Sequence, residues 1–322
     1  MTSDLSAPPD FAAVQAAARR IAPHAHVTPV LRSRSLDALA GAELFFKCEN
    51  FQRVGAFKFR GACNAVWSLT DDEAARGVVT HSSGNHGAAL ALAARTRGIA
   101  AHVVVPDGAV ATKLAAIQAS GATLHRCAPT IAARDAAAEA IRDQTGATLV
   151  HPYTDVRVIA GQGTAALELL RECGALDAIV TPVGGGGLVS GSAIAAHGID
   201  ARIDIHGAEP EGADDAARSL RDGTRVTELA PHTICDGLRG LLGAINFDLL
   251  RAHRVQVATV SDRDTIAAMR LIWTRLKIVV EPSSAIALAA VLAQRERYAG
   301  RRVGIILSGG NVDVDDYFER LA

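Results

Sequence analysis

The sequence predicts an α/β fold of two lobes, each a twisted, mainly parallel sheet flanked by helices. Three observations carry that prediction. Short apolar runs alternate with longer segments of helical period from Gly77 to His151, and a second alternating series runs on from Tyr153. The chain also has 322 residues, 49% of them hydrophobic, which is more than one compact core usually holds.

In the first series Val78-Val79-Thr80 reads as a strand, followed by a helix over about 85–97 and the strand His102-Val103-Val104-Val105. A helix over about 113–120, the strand Ala122-Thr123-Leu124, a helix over about 132–144 and the strand Thr148-Leu149-Val150 complete it. The second series gives a helix over about 159–172, the strand Ala178-Ile179-Val180 and a helix after Gly187. The strand Ile203-Asp204-Ile205, helices over about 263–277 and 283–296, and the strand Val303-Gly304-Ile305-Ile306-Leu307 follow. The expected division is a large lobe of residues 1–52 and 153–322 and a small lobe of residues 53–152. A cleft between lobes is the default place for a ligand.

The formal charge of -1, from 33 basic and 34 acidic residues, excludes a strongly basic face for nucleic acid or an anionic membrane. Cys48, Cys63, Cys127, Cys173 and Cys235 are odd in number and scattered, with no C-x-x-C pair, so reduced thiols in a cytoplasmic protein are expected. Met1 to Pro9 lack a basic segment followed by an apolar one and read as a disordered lead-in, not a signal peptide. Alanine-rich stretches are broken by Arg, Asp or His before they reach membrane-spanning length.

Four stretches carry the chemistry. Lys58 lies in Gly55-Ala56-Phe57-Lys58-Phe59-Arg60-Gly61-Ala62, after the apolar run Leu44-Phe45-Phe46 and at the start of a segment with Phe59, Ala62, Cys63, Val66 and Leu69 at helical spacing. That context turns its amine inward, where desolvation lowers an ammonium pKa and frees a nucleophile. Gly184-Gly185-Gly186-Gly187 stands between a strand and a helix, so converging backbone N–H groups and the helix N-terminus suit a dianionic phosphate. Ser82-Ser83-Gly84-Asn85-His86-Gly87 has the same strand-to-helix placement, with the two serines also fit to cap the helix. Ser308-Gly309-Gly310-Asn311 closes the last strand, at the edge where α/β sheets bind ligands. A buried lysine amine and a phosphate-sized loop together suggest a Schiff base to pyridoxal phosphate.

In that order the four motifs resemble the fold-type II (tryptophan synthase beta-like) pyridoxal phosphate enzymes, and among them the serine/threonine dehydratase and serine racemase family. The resemblance extends to Lys47-Cys48-Glu49-Asn50-Phe51-Gln52, His151-Pro152-Tyr153, the run from Val158 to Thr164, and Glu281-Pro282. It implies that Lys58 holds the cofactor and removes the substrate α-proton, that Gly184 to Gly187 bind the phosphate, and that Ser308 meets the pyridine nitrogen. A hydroxyl at that nitrogen, in place of a carboxylate, favours elimination over transamination.

By the same resemblance Ser82, Ser83, Gly84, Asn85 and His86 form the substrate-carboxylate loop. Asn85 touches the 3-oxygen of the cofactor, and Ser83 moves a proton on the face opposite the lysine. Arg134 and Arg239 are the candidates for a second substrate carboxylate. Glu209, the Ala213 carbonyl and Asp215 match a Mg²⁺ or Ca²⁺ site, although the same acidic run would also serve a helix N-terminus. The implied activity is elimination of the β-hydroxyl from L-threonine, L-serine or L-threo-3-hydroxyaspartate by a homodimer without a C-terminal regulatory domain. An amino acid racemase and a cofactor-binding protein without turnover are the alternatives. Ala56 departs from the Ser-Phe-Lys of many relatives and removes one hydroxyl beside the lysine.

Overall fold

A computed structural model describes residues 7–109 and 111–313; of the lead-in expected over the first nine residues, 1–6 lie outside the described residues. Among the described residues there are ten strands: β1 (Val30–Leu31), β2 (Glu43–Cys48), β3 (Val78–His81), β4 (Ala101–Pro106), β5 (Thr123–Cys127), β6 (Thr148–Leu149), β7 (Ala178–Pro182), β8 (Asp204–Pro210), β9 (Gln256–Val260) and β10 (Arg302–Leu307). They form a six-stranded sheet in the order β1-β2-β10-β7-β8-β9 and a four-stranded sheet in the order β5-β4-β3-β6. Every pairing is parallel except β1 with β2. Helices cover the faces, so Val180, Ile305, Val79 and Val104 are buried, as parallel strands require.

The expected helix over 85–97 is found as Asn85–Arg97. The helix expected over about 283–296 ends earlier: Pro282–Ala293 stops at Gln294, and a short helix Arg295–Tyr298 follows. Pairing with β9, a strand that the periodicity did not single out, extends β8 past Gly207 to Pro210, which places Glu209 inside the strand opposite Thr259.

The parallel strands aim their C-terminal ends at one region. β3 runs into Ser82, β7 into Gly184 and β10 into Ser308. Lys58 reaches it from β2 through two short 3₁₀ turns, the second with Val54 in the left-handed region at φ 57°. Such a φ is rare for a β-branched residue and marks a backbone held by its surroundings. The holding contacts are an isolated bridge between Ala56 and Gly309 and a hydrogen bond from Phe57 N to Ser308 O at 2.9 Å. The first turn of the lysine helix is thereby tied to the end of β10.

Helix Lys58–Trp67 lies against helix Val156–Cys173, and so does helix Gly187–Ile199, which begins at the glycine loop. Both crossings are backbone to backbone. A Cβ on Gly161 would stand 2.6 Å from the Gly61 Cα, and one on Gly191 would overlap the Ile159 carbonyl.

Beneath the lysine helix Arg60, fully buried, donates Nε and Nη2 to Glu49 at 2.6 and 2.8 Å and Nη1 and Nη2 to Glu168 at 2.7 Å each. Buried Lys47 completes the network, with Nζ 2.7 Å from both Glu168 and the Thr28 carbonyl. Removing one partner of such a cluster strands the other in a dry site. Arg60→Ala should therefore cost about 3–5 kcal/mol of stability, read as a lower denaturant midpoint at unchanged slope; a loss under about 1 kcal/mol, the scale of a solvated pair, would contradict it.

Candidate active site

The Lys58 side chain is half-buried, and its Nζ donates to the Pro152 carbonyl at 2.9 Å. Burial pushes the ammonium down to about 8, against the opposing pull of the Glu281 carboxylate. The Phe57 ring lies 5.2 Å from the amine. A lysine with this pKa supplies a useful fraction of free amine near neutral pH, as a nucleophile or base needs.

Glu281 also connects the other motifs. Asn85 Nδ2 donates to both of its oxygens at 3.1 and 3.2 Å, and the Asn311 N–H donates to Oε2 at 3.2 Å. Asn311 Nδ2 in turn donates to Asn85 Oδ1 at 2.9 Å and to Val54 O at 2.8 Å. Asn85, the terminal Ser-Gly-Gly-Asn loop and the turn before the lysine thus meet through named bonds. Glu281-Pro282 carried no assigned role from sequence, yet its carboxylate is the group that Asn85, Asn311 and Lys58 share.

Helix Asn85–Arg97 is capped by Gly84 with no side-chain bond, so the two serines are not its cap; Ser82 Oγ accepts the Gly84 N–H at 3.3 Å and Ser83 is half-buried. His86 is buried, its Nε2 3.3 Å from Val150 O, and burial with the nearby Lys58 charge holds it well below the ordinary histidine range. The ring is a neutral wall.

The glycine loop follows β7, and Gly186 at φ 95° caps helix Gly187–Ile199 without a side chain. Uncapped first-turn N–H groups suit an anion. The glycines also permit close packing: a Cβ on Gly185 would overlap the Tyr153 ring. Ser308 is buried at the end of β10, and among the described residues its hydroxyl makes one long contact, 3.5 Å, to Ser283 O.

Arg134, in the first turn of helix Ile131–Thr145, has a buried Nε with no partner among the described residues, and its charge adds to the burial that lowers His81. Arg239 is exposed and donates to Thr233 O at 2.7 Å, on the segment whose Gly240 approaches Tyr153. Glu209 and Asp215 are buried, and neither makes an ion pair among the described residues. Glu209 accepts the Ala216 and Ala217 N–H groups at 3.0 and 2.9 Å, and Asp215 accepts that of Leu242 at 2.7 Å. Burial raises both carboxyls, Glu209 to about 8.

Residues 21–309 match the family described as pyridoxal-phosphate dependent enzyme. The chain belongs to this family. It is 47% identical to a serine racemase of Dictyostelium discoideum, over 94% of each chain. It is 46% identical to a beta-hydroxyaspartate dehydratase of Paracoccus denitrificans, over 95% of this chain and 98% of that one. The structure of maize serine racemase superposes with a TM-score of 0.95 at 43% identity, over 98% and 97% of the two chains. The fold is that of the fold-type II enzymes, and the cofactor of the family is pyridoxal phosphate. The residues present fit it: an inward amine at Lys58, an uncapped helix start behind four glycines, and a buried hydroxyl at Ser308 with no close partner. No helix among the described residues is long and apolar enough to cross a membrane.

Proposed function

We propose that the chain is a dehydratase that eliminates the β-hydroxyl of a small hydroxy amino acid, giving a 2-oxo acid and ammonia. Pyridoxal phosphate, when bound, supplies an electrophilic carbon and an electron-withdrawing ring. Lys58 would hold it, and its Nζ would take the substrate α-proton. The N–H groups of Gly184 to Gly187 would bind its phosphate, Ser308 would serve its ring nitrogen, and Asn85, oriented by Glu281 and Asn311, its 3-oxygen. The Ser82 to His86 loop holds the α-carboxylate at a helix N-terminus. The observation that carries the reading is the Lys58 amine, lowered to about 8 and fixed 2.9 Å from Pro152 O.

Arg134 takes a distal carboxylate, with Arg239 as a second donor, so L-threo-3-hydroxyaspartate is the preferred substrate over L-serine and L-threonine. The unpartnered Arg134 Nε supports this choice. Racemisation is the second reading, favoured by the half-buried hydroxyl of Ser83 and by relatives named serine racemase. The test is incubation of the purified protein with each of the three amino acids, following 2-oxo acid and enantiomer composition. Formation of 2-oxo acid from none of them would sink the dehydratase, and enantiomer scrambling alone would select the racemase.

Glu209, the Ala213 carbonyl and Asp215 bind Mg²⁺ or Ca²⁺. Two buried carboxylates raised by burial, neither in an ion pair among the described residues, are the donor set of a hard cation. Added metal should raise the melting temperature by mass action, by the equivalent of about 2.7 kcal/mol at a hundredfold excess over Kd, and Asp215→Ala should remove that rise. No response of chelated wild type to either metal would leave the segment as a helix start alone. Residues 53–152 form the small lobe, with 1–52 and 153–322 as the large one. The working form is a cytoplasmic homodimer, in keeping with five free cysteines.

A further inference from the structure

The turn His151-Pro152-Tyr153 touches two halves of the reaction centre. On one side the Pro152 carbonyl receives the Lys58 amine at 2.9 Å. On the other the Tyr153 ring lies on Gly185 so closely that a side chain there would overlap it, and its backbone carbonyl receives Asn246 Nδ2 at 3.1 Å.

His151 holds this turn in two ways. Its Nδ1 accepts the N–H of Thr154 at 3.1 Å and that of Tyr153 at 3.4 Å. A nitrogen receiving N–H donors is the unprotonated one, so the ring proton sits on Nε2. Burial, together with His81 and Lys58, pushes the ring down to about 3, and the acceptor therefore stays open at neutral pH. The ring itself meets Tyr153 edge-on, centroids 4.5 Å apart at 88°, and meets His81 at 5.1 Å and 74°. His81 directly precedes Ser82. Three rings thus run from the substrate loop to the glycine loop, in the edge-to-face geometry that aromatic pairs prefer.

We propose that His151 is a positioning residue, whose Nδ1 aims the Pro152 carbonyl at the Lys58 amine and whose ring braces Tyr153 against the phosphate loop. The proposal rests on the assignment of Lys58 as the cofactor-bearing lysine. Its two parts separate chemically. His151→Asn keeps a side-chain acceptor for the backbone two residues on and loses the ring. His151→Phe keeps a ring and loses the acceptor, and His151→Ala loses both.

Each variant is purified and compared with wild type for pyridoxal phosphate Kd by fluorescence titration, for kcat and KM on the best substrate, and for melting temperature. His151→Phe should lose kcat by about tenfold or more, the scale of one misdirected hydrogen bond at a reacting group, with Kd close to wild type. His151→Asn should recover most of that kcat while weakening cofactor binding by about tenfold, the scale of a lost aromatic contact. His151→Ala should show both defects. If His151→Phe does not fold, the recovery of kcat from His151→Ala to His151→Asn carries the same test. Losses of kcat and affinity that move together and track the melting temperature would overturn the proposal, as would no change in either. The underlying assignment is tested separately: borohydride reduction of the wild-type holoenzyme and peptide mapping should mark Lys58, and a different lysine would remove the proposal along with its premise.

Discussion

If Lys58 is the proposed base, Lys58→Ala should lose turnover by at least the roughly 10²–10⁴-fold that one positioned acid–base group contributes, and by more if the same amine also holds the cofactor. The protein should remain folded, since the side chain is only half-buried and makes a single hydrogen bond, to Pro152 O. Visible absorbance of the bound cofactor should disappear with the activity. In wild type the rate of the step that uses Lys58 as a base should rise with pH through about 8, because a lowered ammonium pKa leaves the amine charged below that value and free above it. Lys58→Ala with a kcat within about tenfold of wild type would end the assignment, since no positioned base is worth so little.

Ser83→Ala should separate the two faces of the substrate. The serine stands on the loop after β3, whereas the lysine arrives from the turn after β2, so the two groups approach from different segments. If Ser83 exchanges a proton only on the face opposite Lys58, racemisation and reaction of D-substrates should fall by about 10²–10⁴-fold, while elimination from the L-substrate keeps most of its kcat. A modest rise in KM for both enantiomers is expected if the same loop also holds the α-carboxylate, as proposed. Equal losses of kcat in both directions would reduce Ser83 to a carboxylate ligand. The comparison is best made on one substrate pair, with 2-oxo acid and enantiomer ratio followed in the same reaction.

Much of this architecture was legible in the sequence because its signals are local. Alternating apolar runs and helical periods located β3, β4, β5 and β7, and helix Asn85–Arg97 begins and ends where the periodicity does. The four motifs were legible as chemistry because glycine runs at strand ends have few other uses. What escaped is long-range. Arg60 and Glu168 are 108 positions apart and Asn85 and Glu281 are 196, and no periodicity links residues so distant. β9 escaped because its burial is shallow on both faces, so Gln256-Val257-Ala258-Thr259-Val260 has too little apolar contrast to stand out. His151 and Tyr153 were visible as a motif, but their service to Lys58 and Gly185 is a matter of contact.

Helix Val156–Cys173 is the common axle of the site, with the lysine helix and the helix that starts at the glycine loop pressed against it through glycines at both crossings. The lysine helix and the glycine-loop helix both rest on this axle, while Ser82 to His86 and Arg134 belong to the elements around the four-stranded sheet. Ser83 and Arg134 stand away from the glycine crossings, so substitutions there leave the packing on the axle unchanged. A scaffold partitioned in this way can diversify its reactions by small steps, and it gives an engineer the same freedom: substrate range can be reselected in the loops of the small sheet while the axle is left alone.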